Sequence, residues 1–268
     1  MWEVYDYLSR EEKIDLQRRV RAQHYGNLTL IDERIGDVLR CLENKNLLDD
    51  TYIIFSSDHG ASLFDNGLLH KGTHFDESVR VPFIIHHSKK IKPNIIDQFS
   101  THVDLYPTLV SLAGGTIPNN IEGYDLSDIL SGEHTGSQDF AIMECTLATS
   151  IITHQWKMST HHIYGDSDLY DLTNDPHCFN NLFEKQGFEQ KIENLQKKIV
   201  AWRKKLSPDM DIPDNLAEWR ECLGPKEYIE SFRNRYIKEY ERLAKLNPEE
   251  RPGKVGHYAQ ELLDRINN

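Results

Sequence analysis

Thr51-Tyr52-Ile53-Ile54-Phe55-Ser56-Ser57-Asp58-His59-Gly60 sets a run of β-branched and aromatic residues directly before a polar turn. Such a run suits a buried strand, because branched and aromatic side chains pack well on a pleated surface, and the Ser-Asp-His-Gly behind it stops the strand. The segment upstream has a different period. Leu28, Ile31, Ile35, Val38, Leu39 and Leu42 recur at helical spacing, which lines one face of a helix and asks for a core to cover it. That helix is expected to end near Asn44 to Asn46, and Ser9-Arg10-Glu11-Glu12, in the form of a capping box, predicts a helix start near Ser9. Beyond the polar turn, Val81-Pro82-Phe83-Ile84-Ile85 reads as a second apolar strand. Helix, tight link, buried strand and a further strand point to an α/β sandwich with a largely parallel sheet.

Further along, a helix is predicted over Asp104 to Ala113, closed by Gly114-Gly115. After Gly132 the pattern shortens. Phe140 to Met143, Ser150 to Thr153 and Leu169 to Leu172 read as brief strands between turns, which is the signature of a small antiparallel sheet. From about Phe188 the chain is charged and helix-prone, with Trp202, Trp219, Tyr228, Phe232 and Tyr236 as anchors onto the body. The expected division is therefore 1–135 for the α/β part, 136–187 for the small sheet and 188–268 for a helical extension.

The 268 residues are 38% apolar, enough to bury a core. A net charge of −12, from 31 basic and 43 acidic residues, repels polyanions and argues against a nucleic-acid partner. An anionic substrate then needs a local positive site. Cys41, Cys145, Cys178 and Cys222 show no C-x-x-C spacing and read as free thiols. No basic and apolar leader opens the visible chain, and no apolar run approaches the roughly 20 residues that span a bilayer, so the expectation is a soluble chain without a membrane partner.

A carboxylate beside an imidazole at a strand's carboxyl end suits a divalent cation, and Asp58 and His59 are candidate ligands on that ground. Taken alone, such a pair is more often a capping aspartate and a loop histidine. The balance shifts with the stretch Leu69-His70-Lys71-Gly72-Thr73-His74-Phe75-Asp76-Glu77-Ser78-Val79-Arg80-Val81-Pro82-Phe83-Ile84-Ile85. Here the chain resembles the sulfatase family of the alkaline phosphatase superfamily. In that family a strand ends in Ser-Asp-His/Asn-Gly, a glycine-flanked loop carries a lysine, and Glu-Ser/Gly-x-Arg-Val-Pro leads into the next strand. Upstream, Ile31-Asp32-Glu33-Arg34-Ile35-Gly36 within Tyr25 to Leu42 is similar to the family's preceding helix. Downstream, Val103-Asp104-Leu105-Tyr106-Pro107-Thr108-Leu109 and Gly123-Tyr124-Asp125-Leu126 follow its pattern. Trp156-Lys157, Leu169-Tyr170-Asp171-Leu172-Thr173-Asn174-Asp175-Pro176 and Asn181-Leu182 look like its C-terminal sheet. The likeness runs over residues 20–185.

The resemblance implies the C-terminal part of an alkaline-phosphatase-like sandwich. It implies that Asp58 and His59 bind a divalent cation, with calcium the first expectation and magnesium or manganese the alternatives. A histidine where the family also uses asparagine leans mildly toward manganese or zinc. Lys71 would contact the sulfate oxygens and serve catalysis. His70 and His74, which flank it, would give a proton to the leaving alcohol or touch substrate. Arg80 would reach the anion site or form a loop-supporting ion pair with Glu77. His102, His161 and His162 are less constrained, although the family places substrate-selecting residues in the sheet that holds the last two.

The family's nucleophile is a formylglycine made in a Cys/Ser-x-Pro/Ala-x-Arg motif, and no cysteine or serine here has that setting. It is expected only in an N-terminal half, together with the paired aspartates that complete the metal shell. The expected function is metal-dependent hydrolysis of a small-molecule or carbohydrate sulfate ester by a full-length parent, with this chain inactive alone. One alternative is a phosphodiesterase or phosphonate monoester hydrolase of the same superfamily. The other is a non-catalytic half-domain or split-enzyme chain, which would pair with a complementing N-terminal chain or with itself.

Overall fold

The computed structural model describes residues 9–69, 71–132, 138–145, 148–161 and 167–206, together with residue 238. These residues fall into two compact units, one holding 9–69, 71 and 75–91, the other 72–74 and 92–206. Among them, no helix is long and apolar enough to cross a membrane.

The first unit opens with α1, Arg10–Asn44. Its start is the capping box read from the sequence: the Glu12 amide donates to Ser9 Oγ, and the Ser9 amide donates to the Glu12 carboxylate at 2.8 Å. The apolar stripe along α1 stays open among the described residues, with Tyr25, Leu28, Ile31 and Val38 all exposed. After a short 3-10 turn at Leu48–Asp50 come β1 (Ile53–Ser56), the short helix α2 (Asp76–Val79) and β2 (Phe83–His86).

The pairing of β1 with β2 corrects one detail of the sequence reading. The strands run antiparallel, Ile53 opposite His86 and Ser56 opposite Phe83, and no parallel pair occurs among the described residues. The physical reason is the path between them. The chain leaves β1 at Ser56 and re-enters β2 at the facing position, Phe83, so the outgoing and returning segments meet at one end of the pair. That arrangement gathers the polar loop residues.

The second unit contains α3 (Leu105–Leu112), α4 (Ser127–Ser131), β3 (Phe140–Glu144), β4 (Ala148–Thr153), β5 (Trp156–His161), β6 (Ser167–Asp171) and α5 (Glu189–Leu206). The four strands form an antiparallel sheet in sequence order, as predicted for this region, and β5 carries Trp156-Lys157 and His161, which the family likeness placed in this sheet. One sheet face is apolar. Ile151, Met158 and Leu169 lie across neighbouring strands and pack against Leu195, Ile199 and Val200 of α5. Burial of each such side chain contributes about 1.5–3 kcal/mol. The aliphatic residues of α5 thus supply the anchors; of the aromatic anchors expected there, Trp219, Tyr228, Phe232 and Tyr236 lie outside the described residues.

The opposite sheet face is polar yet buried: Ser150, Lys157 and Ser159 are on it, and Ser150 Oγ donates to Ser159 Oγ at 2.8 Å. Ahead of the sheet, Asp104 is 1% exposed and accepts from the amides of Thr101 at 2.7 Å and Tyr124 at 2.8 Å. Thr108 Oγ1 accepts from the Leu126 amide at 3.0 Å. These bonds explain the paired Asp-x-x-Pro-Thr and Gly-x-x-Leu segments, since one helix start holds the other segment by its backbone. Gly123 fits because a Cβ there would lie 1.9 Å from the Val103 carbonyl oxygen. Asp104→Ala takes the acceptor from two partly buried amides, and the expected loss is about 2 kcal/mol, read as a lowered denaturation midpoint. A loss below about 1 kcal/mol would show that the network carries little.

Candidate functional site

Asp58 and His59 stand where β1 ends. The Ser57 hydroxyl donates to the His59 carbonyl at 2.9 Å, and the His59 amide donates to Asp58 Oδ1 at 2.9 Å. The second of these bonds is the main reason the Asp58 carboxyl titrates below the ordinary aspartate range, with the charge of Lys71 acting in the same direction. His59 Nδ1 lies 2.8 Å from the Gly60 carbonyl oxygen, which can only accept. Nδ1 therefore carries the proton and leaves the Nε2 lone pair turned outward. Lys71 Nζ donates to that Nε2 at 2.5 Å, and Asp58 Oδ2 lies 3.2 Å from it.

The loop is pinned from both sides. The Gly60 amide donates to the Ser78 carbonyl at 2.8 Å, and Arg21 of α1 donates to the Leu63 carbonyl at 2.9 Å and pairs with Asp65 at 3.0 Å. Leu63, Phe64 and Asn66 adopt positive φ within this turn, a conformation that costs non-glycine residues energy and persists only where surrounding contacts fix it.

This donor set fits part of a divalent cation's shell. A carboxylate oxygen and an imidazole nitrogen converge, and the other ring nitrogen is anchored on a carbonyl, as in metal-ligating histidines. An ammonium already stands against them as a positive stand-in. Two donors are fewer than the six or more that a hard ion takes, so further ligands must come from elsewhere.

The other expected site residues are placed differently. His70 lies outside the described residues, as does His162. Arg80 is exposed, and among the described residues it comes no nearer a carboxylate than Asp76, at 3.9 Å. The ion pair expected between Arg80 and Glu77 does not form, because Glu77 turns toward Asn66 Nδ2, 3.4 Å away. His74 belongs to the second unit and is 5% exposed.

In that unit His74 meets His161 of β5 and Asp168 of β6. His161 Nε2 lies 2.8 Å from Asp168 Oδ2, and His74 Nε2 lies 3.5 Å from the same oxygen. The two imidazoles meet edge to face with centroids 5.3 Å apart, and the Tyr170 ring stacks beside His74. Asn181 Nδ2 donates to the other Asp168 oxygen at 2.6 Å. Burial pushes the Asp168 carboxyl up, but the hydrogen bond and charge of His161, the charge of His74 and a bond from Tyr170 outweigh it and leave the carboxyl lowered. The Tyr170 hydroxyl, raised by burial first and by Asp168 second, keeps its proton. Sequence reading singled out both histidines and missed Asp168. Register is the signal that finds it: Ser159 faces Asp168, so His161, two residues on, is its diagonal neighbour on the same sheet face.

The family model described as Sulfatase matches residues 2–115, and that described as N-sulphoglucosamine sulphohydrolase, C-terminal, matches residues 64–205. Similar proteins include an arylsulfatase of Clostridium perfringens, 29% identical over 191 residues that make up 68% of this chain and 40% of that protein. An N-acetylglucosamine-6-O-sulfatase of Bacteroides thetaiotaomicron is 30% identical over 190 residues, 65% of this chain and 34% of that one. Among solved structures, the phosphonate monoester hydrolase of Agrobacterium radiobacter superposes with a TM-score of 0.63 at 26% identity, covering 69% of this chain and 41% of that one. A protein solved in complex with its substrate D-glucosamine-2-N,6-O-disulfate gives 0.59 at 28% identity, covering 70% and 40%. The chain thus spans about two fifths of the length of the relatives it matches. The strand-end Ser-Asp-His-Gly, the loop lysine, the Asp104 network and the appended sheet all fall within these matches, and the chain belongs to the sulfatase family of the alkaline phosphatase superfamily.

Proposed function

We propose that this chain supplies the Asp58, His59 and Lys71 side of a sulfuric ester hydrolase site whose nucleophile stands on sequence outside these residues. The observation that carries the reading is the convergence of Lys71 Nζ and Asp58 Oδ2 on the outward nitrogen of His59. Family membership implies a divalent metal, and Asp58 and His59 would hold it, supplying charge stabilisation to the ester oxygens. The lowered Asp58 carboxyl stays ionised throughout neutral pH, and the Gly60 carbonyl keeps the His59 lone pair aimed at one point. Lys71, exposed on its loop, is free to turn from His59 to the anion and hold its oxygens. Arg80, exposed at the end of α2, is a second cation for that anion. His70 is assigned as proton donor to the leaving alcohol. His74, buried against Asp168, takes no step in this reading.

The substrate class proposed is a small-molecule or carbohydrate sulfate ester, supported by relatives named as sulfatases, one of them acting at the 6-O position of N-acetylglucosamine by its name. The phosphonate monoester hydrolase superposition supports a second reading, in which the same half-site holds a phosphonate. The exposed residues Leu28, Ile31 and Val38 on α1, with Phe55 and Ile84 on the strand pair, are the surface we assign to the complementing N-terminal part.

Lysine acylation followed by mass spectrometry tests the half-site in the chain as it stands. Millimolar calcium and sulfate together should slow acylation of Lys71 several-fold in the native chain and leave it unchanged in Asp58→Ala. Equal acylation in both, with and without the ions, would remove the basis for placing cation and anion here.

A further inference from the structure

The polar face of the four-stranded sheet carries a group that the ester-hydrolase reading does not use. His161 and Asp168 are diagonal neighbours on β5 and β6, and the 72–74 segment lays His74 onto them. One ring nitrogen from each histidine and one carboxylate oxygen of Asp168 lie within 4.8 Å of one another. We propose that His74, His161 and Asp168 form a second divalent-metal site, one that takes an ion of the zinc class.

Chemistry selects the ion. Two imidazoles and one carboxylate make a mixed nitrogen and oxygen set that favours zinc, cobalt or nickel, whereas calcium and magnesium take oxygen ligands. Geometry allows it. Zinc bonds of about 2.0–2.1 Å set tetrahedral ligand edges near 3.3 Å. The observed separations from Asp168 Oδ2, 2.8 Å for His161 and 3.5 Å for His74, bracket that edge, so the side chains need shift only slightly. The surroundings are already ordered. Asn181 holds the second carboxylate oxygen at 2.6 Å and leaves Oδ2 for the ion, the outer-shell arrangement that orients metal-ligating carboxylates. Burial of His74, at 5% exposure, removes competing water from one side. The fourth position falls to water or to a substrate group.

This site shares no residue with Asp58 and His59, and the experiment keeps the two apart. The full chain carrying Asp58→Ala is titrated with cobalt(II), and the visible absorption of tetrahedral cobalt is followed. A saturable band is expected, with one equivalent bound and no displacement by a hundredfold excess of calcium. His161→Gln and His74→Gln should each abolish the band, and Asn181→Ala should weaken binding roughly 10- to 100-fold. His74 comes from a loop, so its replacement leaves the strand pairing intact, and an unchanged far-ultraviolet spectrum verifies that. As a second readout, zinc should raise the thermal midpoint of Asp58→Ala and leave that of the Asp58→Ala, His74→Gln double variant unmoved. No cobalt band in Asp58→Ala, or a band that survives His74→Gln in the folded chain, overturns the proposal.

Discussion

Gly60→Ala is expected to unseat the Asp58 and His59 loop, at about 3 kcal/mol or more in the local packing. A Cβ at this position would lie 2.1 Å from the Glu77 carbonyl oxygen and 2.9 Å from its carbon, far inside van der Waals contact with backbone that cannot swing aside. The same movement stretches the Gly60 amide bond to Ser78, the link between the outgoing and returning ends of the loop. Antiparallel pairing of β1 and β2 makes this contact possible, because both chain ends meet at one end of the strand pair. The variant should keep its helical circular dichroism and lose the ion-dependent protection of Lys71. Full protection would mean that the loop does not depend on this approach.

Ile199→Asp should have the other large effect. Ile199 is fully buried between α5 and the apolar sheet face, in one cluster with Ile151, Met158, Leu169 and Leu195. The substitution removes that burial and sets a carboxylate in its place without a partner, and the expected cost exceeds about 4 kcal/mol. Hydrogen exchange should report it as loss of protection along β4, β5 and β6 together. Protection retained in the sheet with only α5 fraying would show that the helix contributes less to this core than its buried residues indicate.

Much of the fold was legible in local pattern. The capping box at Ser9 and Glu12, the strand before Asp58 and the helix ahead of Gly114 are fixed by neighbouring residues, and the structure places them close to where the residues predict. The Asp104 and Gly123 segments were recognisable as a family pattern, but their connection rests on hydrogen bonds between positions far apart in the chain. Strand direction was not legible, since an apolar run reads the same whether its neighbour is parallel or antiparallel. Strand β5 was legible only through the family likeness at Trp156-Lys157, because Lys157, Ser159 and His161 alternate with Met158 and Thr160, a polar face that reads as exposed although the fold buries most of it. Asp168 was missed for the same reason: only the register of β5 against β6 brings it to His161.

The central claim is that these residues hold one side of an ester hydrolase site and lack its nucleophile. Turnover of an aryl sulfate and an aryl phosphonate by the purified chain, with calcium, magnesium or manganese, tests it most directly. The account predicts no turnover above background from the native chain, from Asp58→Ala or from Lys71→Ala. Turnover by the native chain that disappears in both variants would contradict it, because a nucleophile would then have to lie within these 268 residues.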